Sequence, residues 1–308
     1  MSDNNVLAPE HPPPPAAAAR NRFGRLADKY MKYIMIIPVT AILAAVAIYP
    51  FLFALRLSLT NAKTNNFQNP EWVGISNYVN ILTSGRFWDS TILTIIYVGV
   101  ALSLEIVLGL GLAMLAEKAT RGQKWYVSLL ITPMLISTVL AGIIFRLELN
   151  QQFGVIPYYL GKLGITANLL DTGHALMTMI LIDVWQWTSF IFLIAFAGLK
   201  SLPVEPFEAA RVYGASAWQT FRYVTLPLVK PVLMIAVIFR MMDAFKAFDH
   251  IYILTSGGPD FATTTFSVLA YNYAYTTDNF GMASAMAVVL LIIIIIITKR
   301  LLKIAKWQ

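Results

Sequence analysis

Six stretches of this sequence, 33–56, 91–116, 125–146, 174–199, 227–248 and 282–302, stay predominantly apolar. Each has the length of about 20 residues that a helix rising 1.5 Å per residue needs to cross roughly 30 Å of hydrocarbon. In that medium every backbone amide and carbonyl must be satisfied inside the protein, which leaves only helices or a closed barrel. Barrel strands would be short and alternating, so the runs predict an all-α, polytopic transmembrane bundle of six spans. Composition agrees: 58% of the residues are hydrophobic and 13% charged, and the mean hydropathy is +0.66. A soluble domain carries about a quarter charged residues.

The net charge of +7 is explained by where the basic residues fall. They gather before the first run (Arg20, Arg22, Arg25, Lys29, Lys32), in the second connection (Lys118, Arg121, Lys124), around 201–227 (Lys200, Arg211, Arg222) and at the end (Lys299, Arg300, Lys303, Lys306). The alternate connections are poor in Lys and Arg, with none between Asp249 and Gly281. Because cytoplasmic loops carry the basic excess, both termini and the 201–227 segment are expected in the cytoplasm of a cell with a bacterial-type inner membrane. Residues 1–28, with the tract PEHPPPPAAAA, read as a disordered basic tail ahead of a membrane domain at 29–308. The apolar stretch after Lys32 is too long for a signal peptide and lacks a small-residue cleavage site.

The segment Ser201–Pro227, SLPVEPFEAARVYGASAWQTFRYVTLP, is a polar interruption with its own helical grammar. Pro203 and Pro206 suit a helix start, and Glu205 and Glu208 sit in the first turn, where the helix dipole favours acid. Gly214 permits a reversal, and Ser216 can cap a second helix from Ala217. Leu226-Pro227 closes the segment. Ala209 and Ala210 leave a surface that another backbone can approach closely, with Arg211 and Arg222 as charge around it.

Charges inside spans are costly and face protein, water or one another. Asp183 and Trp187 share a helix face with Gln186 alongside, while Trp185 points elsewhere. On the fifth run Arg240, Asp243 and Ala247 form a line, with Lys246 three residues after Asp243 and Asp249 beyond it. Glu105 is a further acid in the second run. Two readings are open: a wet pathway whose tryptophan covers the apolar face of a sugar ring while polar groups bond its hydroxyls, or internal neutralisation of Arg240 or Lys246 by Asp183, with the tryptophans packing.

Several classes lack their signatures. There is no GxxxxGK[ST] phosphate loop. His11, His174 and His250 have no metal-ligand spacing, and there is no cysteine. No nucleophile elbow and no basic-aromatic groove for nucleic acid is visible. The remaining rivals to a transport subunit are a membrane-embedded enzyme using Asp183, Glu105 and Asp243, and a self-sufficient carrier or channel with Arg240, Asp243 and Lys246 as a relay.

Glu208-Ala209-Ala210, then Gly214, then Leu226-Pro227 resembles the EAA loop of the permease subunits of ATP-binding-cassette importers. Other elements resemble the carbohydrate-uptake class of that family, which includes the maltose and glycerol-phosphate permeases. They are Pro38 with Tyr49-Pro50, the Trp72, Gly74, Asn77, Tyr78 segment, Phe153-Gly154-Val155-Ile156, Arg240, Asp243, Phe245, Asp249, Tyr252, Leu254-Thr255, Gly257-Gly258-Pro259, Thr264 and the stretch from Gly281 to Ala285. The resemblance implies the type I importer fold and a second permease subunit, most simply in a heterodimer. It also implies two cytoplasmic ATPase subunits carrying ATP and magnesium, and an extracytoplasmic solute-binding protein. This chain would then be no enzyme and bind no cofactor of its own. The coupling residues would be Glu208, Ala209, Ala210, Arg211, Gly214, Leu226 and Pro227. The substrate pathway would hold Asp183, Trp185, Gln186, Trp187, Arg240, Asp243, Lys246 and Asp249, and Gly257, Gly258 and Pro259 would meet the binding protein.

Overall fold

A computed structural model describes residues 22–306 except Thr120. The expected tail therefore lies outside the described residues over 1–21. The chain divides into two compact units, 1–53 and 54–308. The described part of the first is most of one helix, α1 (Arg22–Leu57), which runs without a break through Pro38 and Pro50.

In the second unit the elements are α2 (Ser76–Thr83), α3 (Gly85–Lys118), α4 (Gln123–Ile131), α5 (Thr138–Glu148), α6 (Val155–Lys162), α7 (Ala175–Lys200), α8 (Glu205–Val212), α9 (Ala217–Thr220), α10 (Leu226–Ala244), α11 (Asp249–Thr255), α12 (Phe266–Tyr271) and α13 (Phe280–Lys306). Among the described residues the only strand-like pairing is an isolated bridge between Thr60 and Trp72. Five helical stretches among the described residues are long and apolar enough to cross a membrane.

The third expected span, 125–146, is a bent pair. Gln123–Leu135 and Thr138–Glu148 meet at 92°. Pro133 lies in a tight 3-10 turn, Thr132–Leu135, and Ile136 and Ser137 are extended, so the helical hydrogen bonds stop there. The fifth expected span also shifts. Its helix runs Ala217–Ala244, so Leu226-Pro227 lies inside it and does not mark its start. A widened π turn, Phe221–Thr225, immediately precedes Leu226-Pro227, and the Leu226 amide reaches back to the Phe221 carbonyl. A proline ring clashes with the carbonyl four residues earlier in a regular helix, and the wider turn gives it room. At the other end the helix stops at Ala244, which leaves Lys246 and Asp249 beyond the span.

Three apolar clusters follow one another along α3. Phe87 packs with Ile81, Phe266, Leu269 and Met286; Tyr97, Val98 and Ala101 pack with Met179, Ile182 and Met241; Leu110, Ala113 and Ala116 pack with Phe192, Ala195 and Val229. The last cluster joins the Lys118 end of α3, the Lys200 end of α7 and the start of α10, so the 201–227 hairpin sits at that end of the bundle. The long seam between α3 and α7 depends on Gly109, where an added Cβ would lie 2.8 Å from Ile191 Cγ2 and 2.9 Å from the Phe192 amide nitrogen. Gly109→Val is expected to destabilise the fold by about 1–3 kcal/mol, the usual penalty for overpacking. A lower unfolding temperature of the purified complex would check this, and an unchanged one would count against the seam.

The opposite end is closed by polar pins. Asn77 Nδ2 donates to the carbonyls of Ser58 and Thr60, both at 2.8 Å, and the Tyr78 hydroxyl pairs with Ser58 Oγ at 2.7 Å. The Trp72, Gly74, Asn77, Tyr78 segment is thus a clamp on the chain leaving α1. Gly281 lies so close to the Thr60 carbonyl that no side chain fits, which explains the small-residue start of α13. Thr64 donates to the Asp278 carboxylate through its hydroxyl and, at 3.1 Å, through its amide. These bonds hold the Asp278 carboxyl below its ordinary pKa.

Candidate substrate pathway and coupling hairpin

α3, α7 and α10 each send one charged side chain into the bundle interior. Arg240 grips Glu105 with two bonds, Nε to Oε2 and Nη2 to Oε1, each 2.9 Å. Its Nη2 also donates to the Asp183 carboxylate. Glu105, Asp183 and Arg240 are 0%, 1% and 2% exposed, so the three charges are almost wholly removed from solvent. A planar guanidinium can satisfy two carboxylates at once in this way, which a lysine could not.

Around this triad the environment grades from dry to wet. The Tyr97 hydroxyl hydrogen-bonds His250 Nε2 at 2.9 Å, and that nitrogen lies 3.9 Å from Asp183 Oδ1. The Trp187 ring stacks on the guanidinium, 5.0 Å from Cζ to centroid. Asp243, half exposed, stands 3.7 Å from Arg240 and 3.9 Å from Lys246. Two cavities open here. One, of about 310 Å³, is bounded by Thr138, Asp183, Trp187, Arg240, Asp243, Lys246, Asp249 and His250, among others. The other, of about 560 Å³, shares Trp187, Arg240, Asp243 and Lys246 and continues along Phe190, Ile194, Ile235 and Phe239.

Of the residues expected in the pathway, the structure gathers Asp183, Trp187, Arg240, Asp243, Lys246 and Asp249 around one space. Gln186 and Trp185 are elsewhere. Gln186 is 1% exposed and donates its amide to the Ile136 carbonyl at 2.6 Å. That carbonyl is one of the groups freed where the third span bends, so Gln186 splints the break. Trp185 packs edge-on against Phe145. Asp249 accepts from Thr138 Oγ1 at 2.7 Å and so ties α11 to α5. The sequence reading left out Glu105 as the main partner of Arg240, and it left out His250. A lone acid in the middle of an apolar run was the available signal for Glu105; nothing local pointed to His250.

At the hairpin, α8 starts with Pro206 in its first turn and ends on Gly214, whose φ is +71°. The Gly214 amide bonds the Arg211 carbonyl at 3.0 Å and the Ala215 amide bonds the Ala210 carbonyl at 2.9 Å. This paired reversal requires a left-handed residue, the role glycine fills without strain. Ser216 then caps α9: its Oγ accepts from the Gln219 amide at 3.2 Å, while Gln219 Oε1 accepts from the Ser216 amide at 2.7 Å. Glu208, Ala209 and Arg211 are exposed, Ala210 and Leu226 partly buried. Val212, Tyr213, Trp218 and Tyr223 are 85%, 89%, 68% and 74% exposed. So much bare aromatic surface beside a charged turn marks a contact face.

Gly257-Gly258-Pro259 divides in its roles. Gly257 is buried with φ +91°, and a Cβ there would meet Thr264 Oγ1 at 2.8 Å. Thr264 and Thr263 donate to the carbonyls of Gly257 and Gly258, each at 2.8 Å. Pro259, Asp260 and Phe261 form the exposed tip.

Residues 72–305 match the family described as binding-protein-dependent transport system inner membrane component. The chain is 34% identical over 278 residues to the trehalose/maltose transport system permease protein MalF of Thermococcus litoralis, covering 90% of this chain and 94% of that one. It is 32% identical to the trehalose transport system permease protein SugA of Mycobacterium tuberculosis, covering 86% and 85%. In fold it is similar to a chain from a bacterial ABC transporter involved in the import of the acidic polysaccharide alginate, with a TM-score of 0.78, 20% identity, and coverage of 92% and 98%. With five helices and one bent pair among the described residues apolar enough to cross a membrane, and with more than two thirds of its length matched, this chain belongs to the binding-protein-dependent transport system inner membrane components, as a multi-pass ABC importer permease subunit.

Proposed function

We propose that this chain forms half of the translocation pathway of an ATP-driven importer for a sugar or sugar derivative. The observation that carries the reading is the paired cavity at Trp187, Arg240, Asp243 and Lys246, where an aromatic face adjoins fixed charges inside the bundle. Sugars need this combination, because an indole covers the CH face of a pyranose while carboxylate and ammonium groups bond its hydroxyls. The relatives named for trehalose and maltose transport support the sugar class, and the exposed Lys246 ammonium keeps anionic sugar derivatives within it.

The other half of the pathway is supplied by a second permease of similar fold. ATP and magnesium are bound by two cytoplasmic ATPase subunits, which seat the 201–227 hairpin. A solute-binding protein docks at the opposite end, on the exposed tip after Gly258. Both termini are cytoplasmic in this reading, in keeping with the basic residues near them. The mechanism is alternating access: ATPase closure shifts the hairpin, and the helix Ala217–Ala244 carries the shift directly to Arg240 and Asp243. Coupling needs contacts that differ between the two states, since equal contacts shift no equilibrium.

Asp243→Asn tests the pathway. The side chain is half exposed and remote from the hairpin, so assembly and ATPase activity are expected to survive while uptake of the binding protein's ligand falls roughly 10-fold, the worth of one charged hydrogen bond. Full uptake by this variant would remove Asp243 from the pathway.

A further inference from the structure

Beyond the cavities, six aromatic rings form a continuous row. It begins at Phe248, which lines the smaller cavity. Phe248 stacks on Tyr252 (5.0 Å between centroids) and meets Tyr271 at a tilt (5.0 Å), and Tyr252 meets Tyr271 at 4.6 Å. Tyr271 meets Tyr275 at a tilt at 4.7 Å, Tyr275 meets Phe280 edge-on at 6.1 Å, and Phe280 meets Phe67 edge-on at 5.4 Å. Phe67 lies in the loop clamped at the end of the bundle away from the hairpin. We propose that this row is a sugar-conducting track that leads solute from that end to the central cavity.

The row is built for contact with something mobile. None of its rings is buried: Phe248, Tyr252, Tyr271 and Phe280 are partly exposed, and Tyr275 is 69% exposed. Core rings of the same region, Phe87 and Phe266, are 2% and 1% exposed, so the protein had the means to bury aromatics here. Phe248 and Tyr252 flank the start of α11, and Tyr271 and Tyr275 stand where α12 passes into a π turn. That turn, Asn272–Thr276, carries the chain on toward Phe280. The row joins a cavity wall at Phe248 to the end loop at Phe67. Ring faces stack on pyranose CH groups without demanding one register. A row of equal, modest sites lets a sugar move on without being trapped.

This inference rests on the sugar reading above, and the test separates the two. The assembled transporter, in proteoliposomes with its binding protein, is assayed with radiolabelled trehalose and maltose. The variants are Tyr275→Ala, the double variant Tyr271→Ala with Tyr275→Ala, and the matching Phe variants. Because Tyr275 is exposed, its truncation leaves the core intact. The expected result is a drop in uptake of about 10-fold for the double Ala variant, with partner permease retained on purification, binding-protein-stimulated ATPase activity unchanged, and Phe variants near the parent. Unchanged uptake in the Ala variants overturns the track, as does equal loss in the Phe variants, which would assign the effect to hydroxyls and not to ring faces. Loss of the partner permease from the Ala variants also overturns it and makes the row a subunit interface. Failure of the parent protein to move either disaccharide counts against the sugar reading itself, and the track falls with it.

Discussion

Replacing Arg240 with leucine is expected to abolish the folded transporter. The substitution leaves Glu105 and Asp183 facing each other across a dry interior, each having lost its cation. Removing one partner from a buried ion cluster costs about 3–5 kcal/mol, because the stranded charge keeps its desolvation penalty. A domain with a stability of about 5–15 kcal/mol has little margin for that loss. Monodisperse complex on size-exclusion chromatography should fall to background. The triple variant Arg240→Leu, Glu105→Gln, Asp183→Asn removes all three charges and is expected to restore much of the yield. Full yield from Arg240→Leu alone would show that the triad is not what joins α3, α7 and α10. Recovery of the fold without recovery of uptake would locate a further role for the charged triad at the cavity.

At the hairpin the expected outcome differs: assembly persists in part, but transport stops. Gly214 sits at φ +71°, while proline is locked near −65° and has no amide to offer the Arg211 carbonyl. Gly214→Pro therefore cannot form the reversal between α8 and α9, and ATP-driven uptake should be lost. Glu208→Lys probes the same face without disturbing the backbone. Glu208 is exposed in the first turns of α8, so its reversal of charge costs the isolated fold only about 0.3–1 kcal/mol through the helix dipole, yet it alters the surface offered to the ATPase. Normal ATP-driven uptake by either variant would count against the coupling role. Gly214→Ala is the graded control: open space surrounds the position, so only backbone strain of about 1–2 kcal/mol opposes it.

The hairpin was legible because its instructions are local. Pro206, Gly214 and Ser216 act within a few residues of themselves, and a helix start, a reversal and a cap appear where those residues stand. The spans were legible because bilayer thickness sets a length and the solvent sets a composition. The same reasoning misplaced the start of the fifth span at Leu226-Pro227, since proline at the beginning of an apolar run looks like a helix start, and the π turn that absorbs it has no local signature. It also drew the third span as one helix. Pro133 was visible, but a proline in a membrane helix is tolerated when another group takes up the freed carbonyl, and that group, Gln186, is fifty residues away.

Pairing among the buried charges has the same character. The sequence placed Glu105, Asp183 and Arg240 in three different apolar runs and could state that each needed a partner; it could not say which. Their union depends on the packing of α3 along α7 at Gly109 and of α7 against α10 at Gly198, where small residues bring the backbones close enough for one guanidinium to reach two carboxylates. The sequence alone thus determined what must be helical, what must be wet and which family the chain resembles, because those follow from hydrophobicity and short-range backbone chemistry. Only the tertiary structure decided which charges neutralise one another, which line a cavity, and which aromatics form a row, because these are properties of distances between residues far apart in the chain.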